Sequence, residues 1–396
     1  MRVLMLSWEF PPSSPGGNAA HVSGLARALV RAGHEVAVIT RRVVGADADT
    51  VTPEGVRVVR VGVDLPWLPT PLLTAMASAN HALVRAAAEL RRSGFAPDVV
   101  HAHDWQVGWA GSTVAAWVDS PLVTTFHGTE RSRHAGHLPS GQPEDIHTVE
   151  WWQATSSARV IATTRLMVRG IVEGFELDPE CVHRVPAGID ATWWRTYGLD
   201  ETPGARRSGR VFAWGRVHYE KGFQTLAYAI AALRSRVIGL ECTIAGRGSY
   251  LPELQSQIDI AGVGDIIDVP GYMSGSELRA AVHDAGCVVI PSLYEPFGLV
   301  ALEALAGGAP VIAANTGGLA ELLAGSGAAL LFEPGNADEL ADRIETVLTD
   351  ERLADEMSRQ GQILLEASYS WDAIAARTVQ VYERALGGWS ADWSTD

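Results

Sequence analysis

Two short segments carry the residue types best suited to chemistry. In Arg216-Val217-His218-Tyr219-Glu220-Lys221-Gly222, two cations stand five residues apart, directly after the apolar run VFAWG. Paired cations at a strand end can clamp a diphosphate and neutralise charge on a departing nucleotide without a metal. Of the 31 Lys and Arg residues only Lys221 is a lysine, so its place in this loop asks for more than a solvated surface. The second segment, Glu295-Pro296-Phe297-Gly298-Leu299-Val300-Ala301-Leu302-Glu303, holds two carboxylates eight residues apart. Glu295 follows the run CVVIPS, and Glu303 falls two turns into the helical stretch that comes next. A carboxylate at a helix start can be a cap or a dipole partner and nothing more. Glu303, flanked by Leu302, Ala304 and Leu305, needs a partner on a mostly apolar helix. Carboxylates accept hydrogen bonds from sugar and ribose hydroxyls, which is the chemistry these two suit.

Other candidates are weaker taken alone. Gly16-Gly17, just before a helical stretch, would let backbone N–H groups approach an anion, but an ordinary turn between strand and helix reads the same. The loop has neither dinucleotide-fingerprint nor Walker spacing. His127 ends the run TTFH, where a lone histidine is as often structural as functional. His134 and His137, with Arg131 and Arg133, suggest a metal or phosphate patch, although an acceptor loop is the simpler reading. Trp151-Trp152 and Trp193-Trp194 suit either stacking on sugar rings or packing at a domain junction.

The elements that must position these residues alternate. Apolar runs at RVLMLSW, EVAVITR, VRVVRVG, DVVHAH, PLVTTFH and RVIATT read as strands, separated by helical patterns such as AAHVSGLARALVRAGH and HALVRAAAELRRS. A polar, Gly/Pro-containing stretch at 191–209 interrupts the pattern. It restarts with VFAWG, ECTIAG, IIDVPG, CVVIPS and PVIAAN, each followed by a helical stretch. This predicts an α/β chain of two Rossmann-like, doubly wound domains, with ligands at the carboxyl ends of both parallel sheets. The expected bounds are 1–190, a linker at 191–209, and a second domain at 210–370. An amphipathic helix at 371–388 should return to the first domain, and a frayed tail should occupy 389–396.

With 396 residues, 47% apolar and 19% charged, the chain is globular. A net charge of −15 argues against nucleic acid or an anionic membrane as main partner. Cys181, Cys242 and Cys287 lack metal-ligand spacing and read as buried thiols in a reducing compartment. With no membrane-spanning or signal-like stretch, the expected location is the cytoplasm.

Taken together, PGG, GRVHYEKG, EPFGLVALE and NTGGLAE resemble the glycogen synthase-like branch of retaining glycosyltransferase family 4, over Met1 to about residue 386. SWEFPP, HAHDWQVGWAG, FHGTERSRHAGH and HTVEWW extend the likeness toward actinobacterial α-1,4-glucosyltransferases of methylglucose lipopolysaccharide and glycogen synthesis. The resemblance implies a GT-B fold facing a central cleft, with the donor in the C-terminal domain and the acceptor against the N-terminal one. It implies that Arg216 and Lys221 bind the donor diphosphate, Glu303 the ribose, and Glu295 the sugar hydroxyls near the reacting carbon. Backbone amides of Phe297, Gly298 and Leu299 would lie nearby. Gly16 and Gly17 would close on the phosphate, and Tyr272 and Met273 would line the base pocket. His127 would face the sugar, and Glu9 and Asp104 would shape the acceptor side.

The implied reaction is front-side transfer of glucose from UDP-glucose or ADP-glucose to an α-glucan or oligosaccharide, with retention, no cofactor and no catalytic metal. The donor is a co-substrate. No enzymatic nucleophile stands out, so the paired carboxylates of a glycosidase are the wrong template. No Asp-x-Asp motif lies in a loop suited to a donor metal. Pro15, Asn18 and Ala187 depart from the family pattern, where Lys, Leu and Asn are usual, and they bear on the acceptor. A small-molecule or lipid acceptor is therefore the main alternative. A nucleotide-sugar 2-epimerase would lack this spacing of glutamates. A silent sugar-binding protein would have no need of Lys221, Glu295 and His127 together. A homodimer is one assembly the sequence leaves open.

Overall fold

The computed structural model describes residues 1–12, 17–63, 71–134, 136–195 and 209–388. The chain divides into two compact units, one comprising 1–188 with 371–396 and the other 189–370.

The first unit is built on an eight-stranded sheet. Its strands are β1 (Arg2–Ser7), β2 (Glu35–Arg41), β3 (Asp49–Val51), β4 (Arg57–Val61), β5 (Val99–His103), β6 (Leu122–Phe126), β7 (Arg159–Ala162) and β8 (Val182–Arg184). They lie in the order β3-β4-β2-β1-β5-β6-β7-β8. Every described pairing in it is parallel except β3 with β4. The central strands β5 and β6 are buried along their whole length, as in a parallel sheet covered on both faces. Two helices, Gly17–Arg31 and Trp371–Gly387, share one core on a single face, where Val22, Leu25 and Leu29 meet Ile374, Val381 and Tyr382. The amphipathic C-terminal segment therefore packs in the first unit.

The second unit carries a six-stranded sheet. Its strands are β9 (Arg210–Trp214), β10 (Glu241–Ala245), β11 (Ile267–Gly271), β12 (Cys287–Ile290), β13 (Val311–Ala314) and β14 (Ala329–Phe332), all parallel and ordered β11-β10-β9-β12-β13-β14. Among the parallel strands the order reverses between β1 and β5 in the first unit and between β9 and β12 in the second. The carboxyl ends of those strands are where an open α/β sheet offers a crevice to ligands.

Three details differ from the sequence expectation. The stretch at 191–209 opens as a helix, Ala191–Arg195, because Trp194 is buried in the core of the second unit; residues 196–208 lie outside the described set. The helix HALVRAAAELRRS begins nine residues earlier, at Leu72. Cys181 is half-buried, whereas Cys242 and Cys287 are buried as expected. Burial pushes the Cys287 thiol up to about 12, so it stays protonated and unreactive. No helix is long and apolar enough to cross a membrane among the described residues.

Candidate active site

In the second unit the two signature segments meet. β9 and β12 are paired neighbours, so the loops that leave their carboxyl ends run side by side. The loop after β9 makes a short 3-10 turn, Tyr219–Lys221, and ends at Gly222, whose φ is +68°. A Cβ there would lie 1.9 Å from the Pro291 carbonyl oxygen, so this position is restricted to glycine both by conformation and by contact. The close approach also lets the Leu293 N–H donate to the Glu220 carbonyl at 2.8 Å. With the loops so joined, Lys221 Nζ donates to Glu295 Oε2 at 2.6 Å. Glu295 is only 8% exposed. Lys221 is only partly buried, so removing one partner should cost less than the roughly 3–5 kcal/mol of a fully buried pair. Arg216, from the same loop, is exposed.

Glu295 is also held by its backbone. Its carbonyl accepts from the Gly318 N–H at 2.8 Å. A Cβ on Gly318 would stand 2.4 Å from the Phe297 Cα, so the Gly-Gly of NTGGLAE is what lets this turn pack against Glu295–Phe297. Gly298 precedes the helix Leu299–Ala306, and Phe297 is partly buried against the core. The first N–H groups of such a helix have no intrahelical acceptor and suit an anion or a sugar oxygen.

Glu303 finds the partner its apolar neighbours demanded. Burial raises its carboxyl to about 7, and a hydrogen bond with the Trp214 indole at the end of β9 pulls the other way. Trp214 was not singled out from sequence, and its place one residue before Gly215 in VFAWG was the available signal. Tyr272, half exposed, and Met273 follow β11, two strands away from β9.

In the first unit the carboxyl ends of β1, β5 and β6 bring Glu9, Asp104 and His127 to one end of the sheet. Asp104 has φ 61° and ψ 171°, a backbone region nearly confined to glycine and worth about 1–3 kcal/mol of strain. Two hydrogen bonds hold it there. Asp104 Oδ1 accepts the His127 backbone N–H at 2.7 Å, and Oδ2 accepts Asn18 Nδ2 at 2.7 Å. Gln153 Nε2 donates to its carbonyl at 3.3 Å. Both carboxylate oxygens are thus engaged, and Asp104 positions His127 by its backbone. Asn18, which stands where the family usually has Leu, supplies one of those bonds. Burial lowers the His127 pKa while Asp104 raises it, so the imidazole is neutral at neutral pH. Glu9 is half-buried, with Ser7 Oγ donating to its carbonyl at 2.7 Å. Gly17 opens the first helix, and Gly16 lies outside the described residues.

The remaining candidates separate. Arg133 and His134 both pair with Glu130, so that patch has its own counter-charge. Trp151 and Trp193 are both exposed, Trp193 with the Arg279 guanidinium 4.2 Å over its ring.

Residues 15–193 match the model for Glycosyltransferase Family 4, and residues 205–363 match Glycosyl transferases group 1. The glycogen synthase of Mycobacterium tuberculosis is 35% identical, with 98% of this chain and 96% of the relative covered. The D-inositol 3-phosphate glycosyltransferase of Paenarthrobacter aurescens is 30% identical, with 94% of each covered. Among solved structures, sucrose-phosphate synthase from Thermosynechococcus elongatus superposes with a TM-score of 0.80 at 22% identity, covering 98% of this chain and 100% of that one, a likeness of fold. The chain belongs to glycosyltransferase family 4, in its glycogen synthase-like branch, with the GT-B fold and the activity class of a hexosyltransferase.

Proposed function

We propose that this chain transfers glucose, with retention of the α configuration, from UDP-glucose or ADP-glucose to the end of an α-glucan or oligosaccharide. The observation that carries this reading is the Lys221–Glu295 pair, partly buried at the strand-order reversal of the second sheet and supplied by the two signature loops. Glu295 holds the ammonium in one place, where it meets the donor diphosphate together with the exposed Arg216. The first N–H groups of the helix Leu299–Ala306, beside Phe297 and Gly298, add fixed positive potential. Glu303, once ionised, accepts from the ribose hydroxyls. Tyr272 and Met273 flank the base.

In this reaction the bond from the anomeric carbon to the phosphate oxygen breaks while a bond to the acceptor oxygen forms on the same face. The acceptor proton passes to the departing phosphate, whose growing charge Arg216 and Lys221 stabilise. His127, neutral and fixed through Asp104, presents its imidazole to the sugar. Asp104 and Glu9 border the acceptor side. The relative named a glycogen synthase supports a glucan acceptor. The relatives named for D-inositol 3-phosphate support a second reading, a small phosphorylated acceptor. Asn18 beside Asp104 is the local departure that bears on it.

A donor and acceptor panel tests the reading. UDP-, ADP- and GDP-glucose and UDP-N-acetylglucosamine are supplied with and without maltooligosaccharides or an inositol phosphate, and nucleoside diphosphate release is followed. Release from UDP- or ADP-glucose that rises with maltooligosaccharide is expected. Release that responds only to the phosphorylated acceptor selects the second reading, and no release from any donor refutes both.

A further inference from the structure

Four buried or half-buried imidazoles gather at β5, β6 and the first helix. His101 is satisfied on both sides, by the Tyr382 hydroxyl and by Thr125 Oγ1, each at 2.7 Å. The other three are not. His103 Nδ1 stands 3.2 Å from His127 Nε2. His21 meets the His127 ring edge-on, with centroids 4.6 Å apart. One ring nitrogen from each of His21, His103 and His127 lies within 4.8 Å of the others. His21 Nδ1 is buried and has no hydrogen-bond partner among the described residues. A buried polar atom left without a partner costs about 1–3 kcal/mol, so one beside two contacting imidazoles asks for an explanation.

We propose that His21, His103 and His127 form a site for a borderline divalent cation of the Zn²⁺ or Co²⁺ type. Three neutral imidazoles are the preferred donor set of such ions. The 3.2 Å pair already matches the roughly 3.3 Å between two nitrogens of a tetrahedral site with bonds of about 2.0–2.1 Å. His21 closes the remaining distance by side-chain rotation. In the His103–His127 contact one ring donates its proton to the other. Coordination through that pair moves the proton across the donating ring and does not remove it. Asp104, hydrogen-bonded to the His127 backbone, supplies nearby negative charge. The cation takes no part in the proposed transfer. Its consequence is inhibition, since a coordinated His127 is withdrawn from the sugar. That consequence rests on the functional reading above, whereas the site does not.

The test titrates the metal-free full chain with Zn²⁺ by calorimetry and with Co²⁺ by visible absorption. One ion per chain is expected, with a tetrahedral Co²⁺ spectrum. His21→Asn and His103→Asn should each weaken binding by more than the roughly 10–100-fold that loss of an outer-shell partner causes. The double variant His134→Ala/His137→Ala, on the surface, should bind unchanged. Circular dichroism checks that each variant is folded. Should the buried variants fail to fold, X-ray absorption on the Zn²⁺-loaded wild type decides: three imidazole nitrogens uphold the site, and oxygen-only ligation overturns it. Unchanged binding in folded His21→Asn, loss of binding in the surface variant, or no binding at all also overturns it. A loaded chain that transfers sugar at full rate refutes the role given to His127 and leaves the site standing.

Discussion

Lys221 and Glu295 lie 74 residues apart in sequence and 2.6 Å apart in space because β9 and β12 are neighbours. Removing the ammonium has two effects that must be separated. Lys221→Ala should lower kcat/KM by about 10²–10³-fold, the cost of losing a fixed group that stabilises transition-state charge. It should also reduce stability, because the buried Glu295 loses its partner. Lys221→Arg keeps the charge but not the point geometry, and should not restore turnover. Steady-state kinetics beside thermal unfolding distinguish the two effects. Glu303 gives a pH signature. Its carboxyl, raised to about 7, is ionised only above that pH, so donor affinity should fall as pH drops through 7. The KM for donor, measured between pH 5.5 and 8.5, should show this step in wild type and lose it in Glu303→Gln. An unchanged step in that variant would exclude Glu303 as its source. Lys221 was legible in the sequence from its rarity, and Glu303 from its apolar flanks. Trp214, His21 and His103 were not, since their roles arise from neighbours on other strands and helices that no spacing reveals.

At the scale of elements, the site depends on backbone packing as much as on side chains. Gly318→Ala would place a methyl group 2.4 Å from the Phe297 Cα and push the Glu295–Phe297 turn away. Such overpacking should cost about 1–3 kcal/mol and lower turnover in parallel. Loss of stability with full activity would show that the turn does not position Glu295. In the first unit, Glu150 on the helix Gln142–Thr155 accepts the Glu130 backbone N–H with both carboxylate oxygens. Burial, the largest cause, together with Asp104 and Glu130 raises its pKa to about 8 against the backbone bond and Arg133. The folded state thus keeps a proton that the unfolded chain releases above its ordinary carboxylate range. Stability should fall as pH rises from about 4.5 toward 8, by up to about 1.4 kcal/mol per pH unit from this group alone. Glu150→Gln should flatten that slope in denaturant titrations. The strands around these sites were readable from their apolar runs. The helix Gln142–Thr155 was not, because its buried face includes Glu150 and Gln153, which weaken the apolar periodicity.

At the scale of the whole molecule, the first unit is discontinuous in sequence: it includes the C-terminal segment from Trp371. Ile374, Val381 and Tyr382 are buried in its core, and the Tyr382 hydroxyl partners His101. Deleting residues 371–396 should remove about 1.5–3 kcal/mol for each large apolar side chain lost. The first unit should then melt at lower temperature while the second is little changed, which calorimetry would resolve as two transitions. A single unaltered transition would contradict the packing described. The two-unit α/β architecture was legible from alternation, and the amphipathic segment at 371–388 was expected to return to the first unit, where it packs. The measurement closest to the central claim is proton NMR of the wild-type reaction with UDP- or ADP-glucose and a short maltooligosaccharide. The account predicts a new α-linked glucose at the non-reducing end, absent with Lys221→Ala. A β-linked product, or no sugar added to any acceptor, would contradict it.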